Sequence, residues 1–214
     1  MDGVIIDSEP LWKIAEVEAF AKVGLDLKTT DCEETVGLRI DQVVEMWYKR
    51  VGWSNKTVKE VEHDIVDILI REINKQGKAL PGVIDTLKKL ANSDYKIGLA
   101  TSSYDRIIHA VVDRLAIRSY FHICYSAEHE IYGKPHPGVF LSCAERLEVL
   151  PEDCLVIEDS FNGIIAAKAA RMKVIAIPEK SHLKDPRLAI ADATLDTMEA
   201  FDTNAIMDYI KHEL

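Results

Sequence analysis

Between Gly82 and Ile177 short apolar runs alternate with helical spacings, and this alternation limits the possible folds more than any other feature. Val83, Leu87 and Leu90 mark a helix, and residues 96–101 (KIGLAT) form a short apolar strand. Ile107, Val111, Val112 and Leu115 mark the next helix, and residues 122–125 a strand. Residues 137–147 read as helix, 154–157 (CLVI) as strand, 163–170 as helix and 174–177 (VIAI) as strand. Short strands without polar alternation, each followed by a helix, point to an α/β protein with a parallel sheet covered on both faces.

The first eighty residues have a different period. A helix is expected from Asp7 or Ser8 as N-cap, with Glu9 in its first turn and Pro10 where a missing N–H costs little. Leu11, Ile14, Ala15, Val17 and Phe20 continue it, and Gly24 closes it. Val43, Val44, Met46 and Trp47, then Val61, Ile65, Ile68, Leu69 and Ile73, repeat at helical spacing. No strand is expected before Leu80-Pro81-Gly82, which ends this helical module. Residues 181–186 read as a polar loop and the C-terminus as a surface helix.

A length of 214 residues suits one large domain, or a core domain carrying a smaller inserted one. The net charge of −10 argues against a nucleic-acid backbone as partner, which needs a cationic face. A small anionic substrate remains compatible, because one lysine in a pocket outweighs a diffuse acidic surface. Cys32, Cys124, Cys143 and Cys154 are scattered, show no metal-ligand spacing and read as buried reduced thiols. No apolar run reaches the length of about 18 residues that a membrane span requires. No secretory leader pattern is visible, so the cytoplasm is the expected compartment.

Ligands of open parallel sheets bind beyond the carboxyl ends of the strands, and Thr101, Asp159 and Lys134 fall at or beyond such ends. Thr101, followed by Ser102 and Ser103, reads as a turn residue or as part of a phosphate cradle at a helix N-terminus, with Ser103 or Asp105 the expected cap. Glu158-Asp159 reads as a helix cap or as a metal site, in which Asp159 is the ligand and Glu158 tunes it or binds through water. Lys134, within Gly133-Lys134-Pro135-His136-Pro137, reads as a surface charge or as a held point charge for phosphate. His136 is expected to turn the loop rather than act in catalysis, and no GxGxxG follows a strand, which disfavours a dinucleotide site.

The motifs DGVIIDSEP, LPGV, KIGLATSS, GKPHPGVF and LVIEDSFNG, in this order, resemble the haloacid-dehalogenase superfamily of phosphatases along essentially the whole chain. The helical insert after the first motif is similar to the group with an α-helical cap. Residues 36–41 (VGLRID) and 45–48 (EMWY) resemble bacterial sugar phosphatases acting on 2-deoxyglucose 6-phosphate and hexitol phosphates. The resemblance implies a Rossmann-like three-layer core from residues 1–10 and 80–214, with a helical cap domain at 11–79. It implies a Mg²⁺-dependent phosphatase working through an aspartyl-phosphate. Asp2 would be its general acid/base, with its backbone carbonyl on the metal beside Asp159 and Glu158. Thr101, Ser102 and Lys134 would hold the phosphate, and Glu9 and Arg39 would face the substrate from hinge and cap. Trp12, Trp47 and Trp53 read as cap core in preference to sugar platforms. The expected partner is a small phosphorylated sugar or polyol, and the chain is expected to act as a monomer.

In this family the nucleophile is the first aspartate of Asp-x-Asp-Gly, which here would fall just ahead of Met1. The expectation is therefore that residue 1 is not the natural start, through initiation at an internal methionine or a lost segment, and that residues 1–214 show no turnover. Two other readings stand beside the phosphatase: a phosphomutase of the β-phosphoglucomutase type, and a nucleophile-lacking protein that binds phosphorylated ligands.

Overall fold

In a computed structural model, which describes residues 1–35, 38–179 and 185–202, the alternation after Gly82 becomes two parallel ladders. Strand β1 (Gly98–Thr101) pairs with β2 (Ile123–Ser126), in the register Gly98 to Ile123 through Thr101 to Ser126. Strands β3 (Leu155–Glu158), β4 (Lys173–Ala176) and β5 (Ala193–Thr194) form the second ladder in that order. The two-residue β5 has no counterpart in the sequence reading, since so short a strand carries no pattern. Among the described residues β1 and β3 have one ladder partner each.

Successive strand residues point to opposite faces. Leu99, Ile175 and Ile177 enter one core with Val83 and Leu87 of helix α4 (Val83–Ala91) and Ile107, Ile108 and Val111 of α5 (Asp105–Arg114). Val156, Val174 and Ala176 enter a second core with Val139 and Phe140 of α6 (Gly138–Leu147) and Ile164 of α7 (Phe161–Ala169). Helix, sheet and helix thus make the three layers expected from the alternation. Gly82, at φ +79, starts α4 in a left-handed conformation that a β-carbon would disfavour.

The first eighty residues form α1 (Glu9–Ala21), α2 (Ile40–Val51) and α3 (Val58–Gln76). Phe20, fully buried, meets Trp47 and Trp53 edge-on at centroid separations of 6.3 and 5.9 Å. Both tryptophans therefore serve the helical core, as expected, although their Nε1 atoms find no hydrogen-bond partner. The module's apolar residues run into the core shared by α4 and α5. Its two connections lie side by side: Asp7 N–H donates to the Lys78 carbonyl at 3.3 Å, and Leu80 N–H to that of Ile5 at 3.0 Å.

Helix α3 starts in a reciprocal cap, in which Thr57 Oγ1 accepts from Glu60 N–H and Glu60 Oε2 accepts from Thr57 N–H at 2.7 Å. Thr57→Ala is expected to lower stability by about 1 kcal/mol, read as a fall in the urea midpoint at unchanged slope; an unchanged midpoint would refute the cap's contribution. Ser8 occupies the expected N-cap of α1, but its hydroxyl makes no cap bond. The C-terminal helix and most of the 181–186 loop lie outside the described residues; Asp185 and Pro186 lead into a 3-10 turn, Pro186–Ile190. Among the described residues no helix is long and apolar enough to cross a membrane. All four cysteines are free; Cys32 and Cys143 are buried as expected, while Cys124 and Cys154 are half-buried.

Candidate active site

The site is built where residues 1–6 meet the carboxyl ends of β1 and β3. The N–H groups of Val4, Ile5 and Ile6 all turn back onto the Met1 carbonyl, at 3.4, 2.7 and 3.3 Å. This tight turn, with Gly3 at φ +66, presents Asp2. A β-carbon on Gly3 would collide with the Asp159 carboxylate, so the glycine is what lets the two acidic residues approach.

Asp2 is tied on both oxygens. Ser8 Oγ and Trp12 Nε1 donate to Oδ1 at 2.6 and 3.2 Å, and Ser103 Oγ donates to Oδ2 at 2.7 Å. Ser8 keeps the expected N-cap position and Trp12 packs against the core as expected, so their bonds to Asp2 are additional roles; Ser103, expected as a cap of α5, is the correction. At α5 the cap position falls to Tyr104 without a side-chain bond. Asp105 is the first helical residue; its N–H goes to Glu128 and its carboxylate meets His129 at 2.7 Å. Thr101 is 3 % exposed, and its Oγ1 accepts from Ser103 N–H at 3.2 Å, which leaves the hydroxyl proton available to a ligand. Ser102 follows in the same turn, half-buried.

On the other side, β3 delivers Glu158 and Asp159 to the start of α7. Ser160 caps that helix by accepting from Gly163 N–H at 3.1 Å, and its hydroxyl donates to Glu158 Oε1 at 2.6 Å. Gly163 has no room for a β-carbon because the Glu158 carboxylate fills it. Lys134 Nζ reaches Glu158 Oε2 at 3.0 Å with side chains 8 and 6 % exposed, and lies 4.7 Å from the centre of the Phe140 ring. His136 accepts from Gly138 N–H at 3.1 Å, the loop-turning role expected of it.

The charges in this cluster are unequal. Burial pushes Glu158 up, but Lys134, the Met1 α-amino group and the Ser160 hydroxyl outweigh it and hold the carboxyl below its usual range. Asp159 is pushed up to about 8, by burial first and then by the neighbouring Glu158 charge, against the pull of the α-amino group and Lys134. The cluster thus holds one carboxyl whose ionisation is favoured, Glu158, and one whose ionisation is opposed, Asp159. Among the described residues no three His, Cys, Asp or Glu side chains gather around one metal-sized point. Magnesium does not need three; it takes one or two carboxylates and fills its octahedron with water and phosphate oxygen.

Glu9 and Arg39, expected to face a substrate, both make contacts within the protein. Glu9 pairs with Lys13 one turn along α1, at 2.7 Å. Arg39 spends four of its N–H donors: Nε and Nη2 on Asp41 at 2.7 and 2.6 Å, and Nη1 on the carbonyls of Ala127 and Glu130 at 3.1 and 3.2 Å. It therefore clasps the start of α2 to the turn beyond β2. Sequence reading missed this because a carbonyl acceptor 91 residues away leaves no local signal. A second clasp joins Tyr104 O–H to Glu62 of α3, at 3.1 Å.

A parallel three-layer core under a helical cap, with acidic, hydroxyl and ammonium groups gathered at its strand ends, defines a phosphate-handling α/β enzyme fold. Residues 1–177 match the family described as haloacid dehalogenase-like hydrolase, and the chain belongs to it. Hexitol phosphatase B of Escherichia coli K12 is 39% identical over 199 residues, which cover 92% of this chain and 90% of that protein. β-Phosphoglucomutase of Bacillus subtilis is 28% identical over 206 residues, with 93 and 90% covered. The crystal structure of CbbY from Rhodobacter sphaeroides in complex with phosphate superposes with a TM-score of 0.86 at 20% identity, covering 94% of this chain and 92% of that one.

Proposed function

We propose that this chain is a phosphatase of small sugar or hexitol phosphates, dependent on Mg²⁺ and working through an aspartyl-phosphate. The observation that carries the reading is the junction of Asp2, Asp159 and the buried Lys134–Glu158 pair at the ends of β1 and β3. The 39% identity to a hexitol phosphatase supports the substrate class. In this reading the domains divide into a core of residues 1–10 and 80–214 and a cap of 11–79, and the protein acts as a cytoplasmic monomer.

Thr101, Ser102 and the amide groups starting α5 donate to the phosphoryl oxygens, and Lys134 supplies a fixed positive charge. Asp159 and the Asp2 carbonyl would hold Mg²⁺, backed by Glu158, and the ion would neutralise phosphoryl charge. Asp159, whose ionisation burial and the Glu158 charge oppose, is the group that a cation here would bring to its charged form. Asp2 protonates the leaving oxygen and later takes a proton from water. The attacking carboxylate belongs two residues ahead of Asp2, a position outside residues 1–214. The helical cap excludes water from the covered site.

Residues 1–214 alone are therefore expected to be stabilised thermally by phosphate plus Mg²⁺ while releasing no phosphate from hexose or hexitol phosphates. Adding an apolar strand ending in Phe-Asp ahead of Met1 is expected to switch release on. Turnover by residues 1–214 that Asp2→Asn abolishes would refute the assignment of the nucleophile. The second reading is supported by the 28% identity to a β-phosphoglucomutase. In the extended chain, isomerised sugar phosphate without net phosphate release would favour it.

A further inference from the structure

Three side chains hold Asp2, and two of them belong to the segment that enters the helical cap. Ser8 and Trp12 both donate to Oδ1, whereas Ser103, from the core side, donates to Oδ2. A carboxylate offers about four lone-pair positions. Oδ1 has both of its positions taken and Oδ2 keeps one. Trp12 sits in the first turn of α1, so its indole is carried by the helix that leads away from the hinge. The chain's other two indoles, Trp47 and Trp53, leave their N–H groups without a partner in the cap core. The Trp12 bond is thus a specific placement and not a general habit of this chain's tryptophans.

We infer that Trp12 is a positioning residue for Asp2: its indole N–H fixes Oδ1, turns the open position of Oδ2 toward the substrate, and ties that orientation to the seat of helix α1. The inference rests on Asp2 being the proton-transfer group. Ser8 and Ser103 hold one oxygen each, and neither contact alone fixes the tilt of the carboxylate against helix α1. A second donor on Oδ1, ten residues along from Asp2, supplies that reference. Movement of α1 by about 1 Å would stretch the 3.2 Å bond past useful length. The proton donor is then correctly aimed only when the cap is seated.

The test uses the three indole N–H resonances of the chain, with Trp12→Phe to assign one of them. Asp2→Asn is expected to shift the Trp12 resonance and leave those of Trp47 and Trp53 in place. No shift would overturn the inference, and this measurement does not depend on how well the Trp12 variant folds. Inorganic phosphate with Mg²⁺ is expected to move the same resonance. Loss of that response, with the Asp2→Asn shift still present, would instead remove the active-site reading on which the inference rests. In the extended chain, Trp12→Phe is expected to lower kcat by about 10- to 100-fold with KM nearly unchanged. Unaltered kcat would overturn the positioning role.

Discussion

Lys134→Met is expected to lower the unfolding free energy by about 3–5 kcal/mol, the largest single-residue effect in the site. Lys134 and Glu158 face each other at 3.0 Å with both side chains almost wholly withdrawn from water. Removing the ammonium leaves the Glu158 carboxylate buried without a cation beside Asp159, whose own ionisation is already opposed. Ser160 retains two hydrogen bonds to Glu158 Oε1, from its hydroxyl at 2.6 Å and its N–H at 3.3 Å, and cannot replace a charge. The cost is that of the stranded anion rather than of the lost attraction, so Lys134→Met combined with Glu158→Gln is expected to recover most of the stability. Urea denaturation of wild type, both single variants and the double variant measures this. If the double variant is as unstable as Lys134→Met, the stranded-charge account is wrong.

The second large effect lies in helix α1. Glu16 of α1 is 6 % exposed, and burial raises its carboxyl from 4.5 to about 7, against hydrogen bonds from Cys32 and Thr35 and the charge of Lys13. Thr35 Oγ1 donates to Glu16 Oε2 at 3.2 Å. Between these two values the folded chain binds the proton more readily than the unfolded chain does. This contribution to stability is therefore largest below about pH 4.5, falls as pH rises through about 7, and is flat above. Glu16→Gln, which keeps a neutral hydrogen-bonding group, removes the slope. Over that window wild type is expected to lose about 3 kcal/mol relative to Glu16→Gln. Parallel stability–pH curves for the two proteins would show that Glu16 enters the fold already ionised.

The parts of this molecule that read clearly from sequence are those set by local periodicity. The runs KIGLAT, CLVI and VIAI became β1, β3 and β4 within a residue or two, because an apolar strand buried on both faces announces itself in consecutive residues. Trp47 and Trp53 could be placed in the cap core for the same reason. Polar side chains were harder, since a hydroxyl near a helix start has the same local signature whether it caps or reaches across the fold. Ser8 and Ser103 both reach across, to one carboxylate. Arg39 is the sharper case: its position in the helical module was legible, but its acceptors are backbone carbonyls, and every residue type carries those.

The paired crossings between the helical module and the sheet layer have a consequence for how such a chain can vary. Asp7 beside Lys78 and Ile5 beside Leu80 bring the module's ends to within a hydrogen bond of each other. An excursion that departs and returns at one point places no demand on the strands below, and lengthening it adds little closure entropy. What limits the variation is the other side of the module, whose apolar residues share a core with α4 and α5. Its helices can change length where they do not touch that core while the strands keep their register.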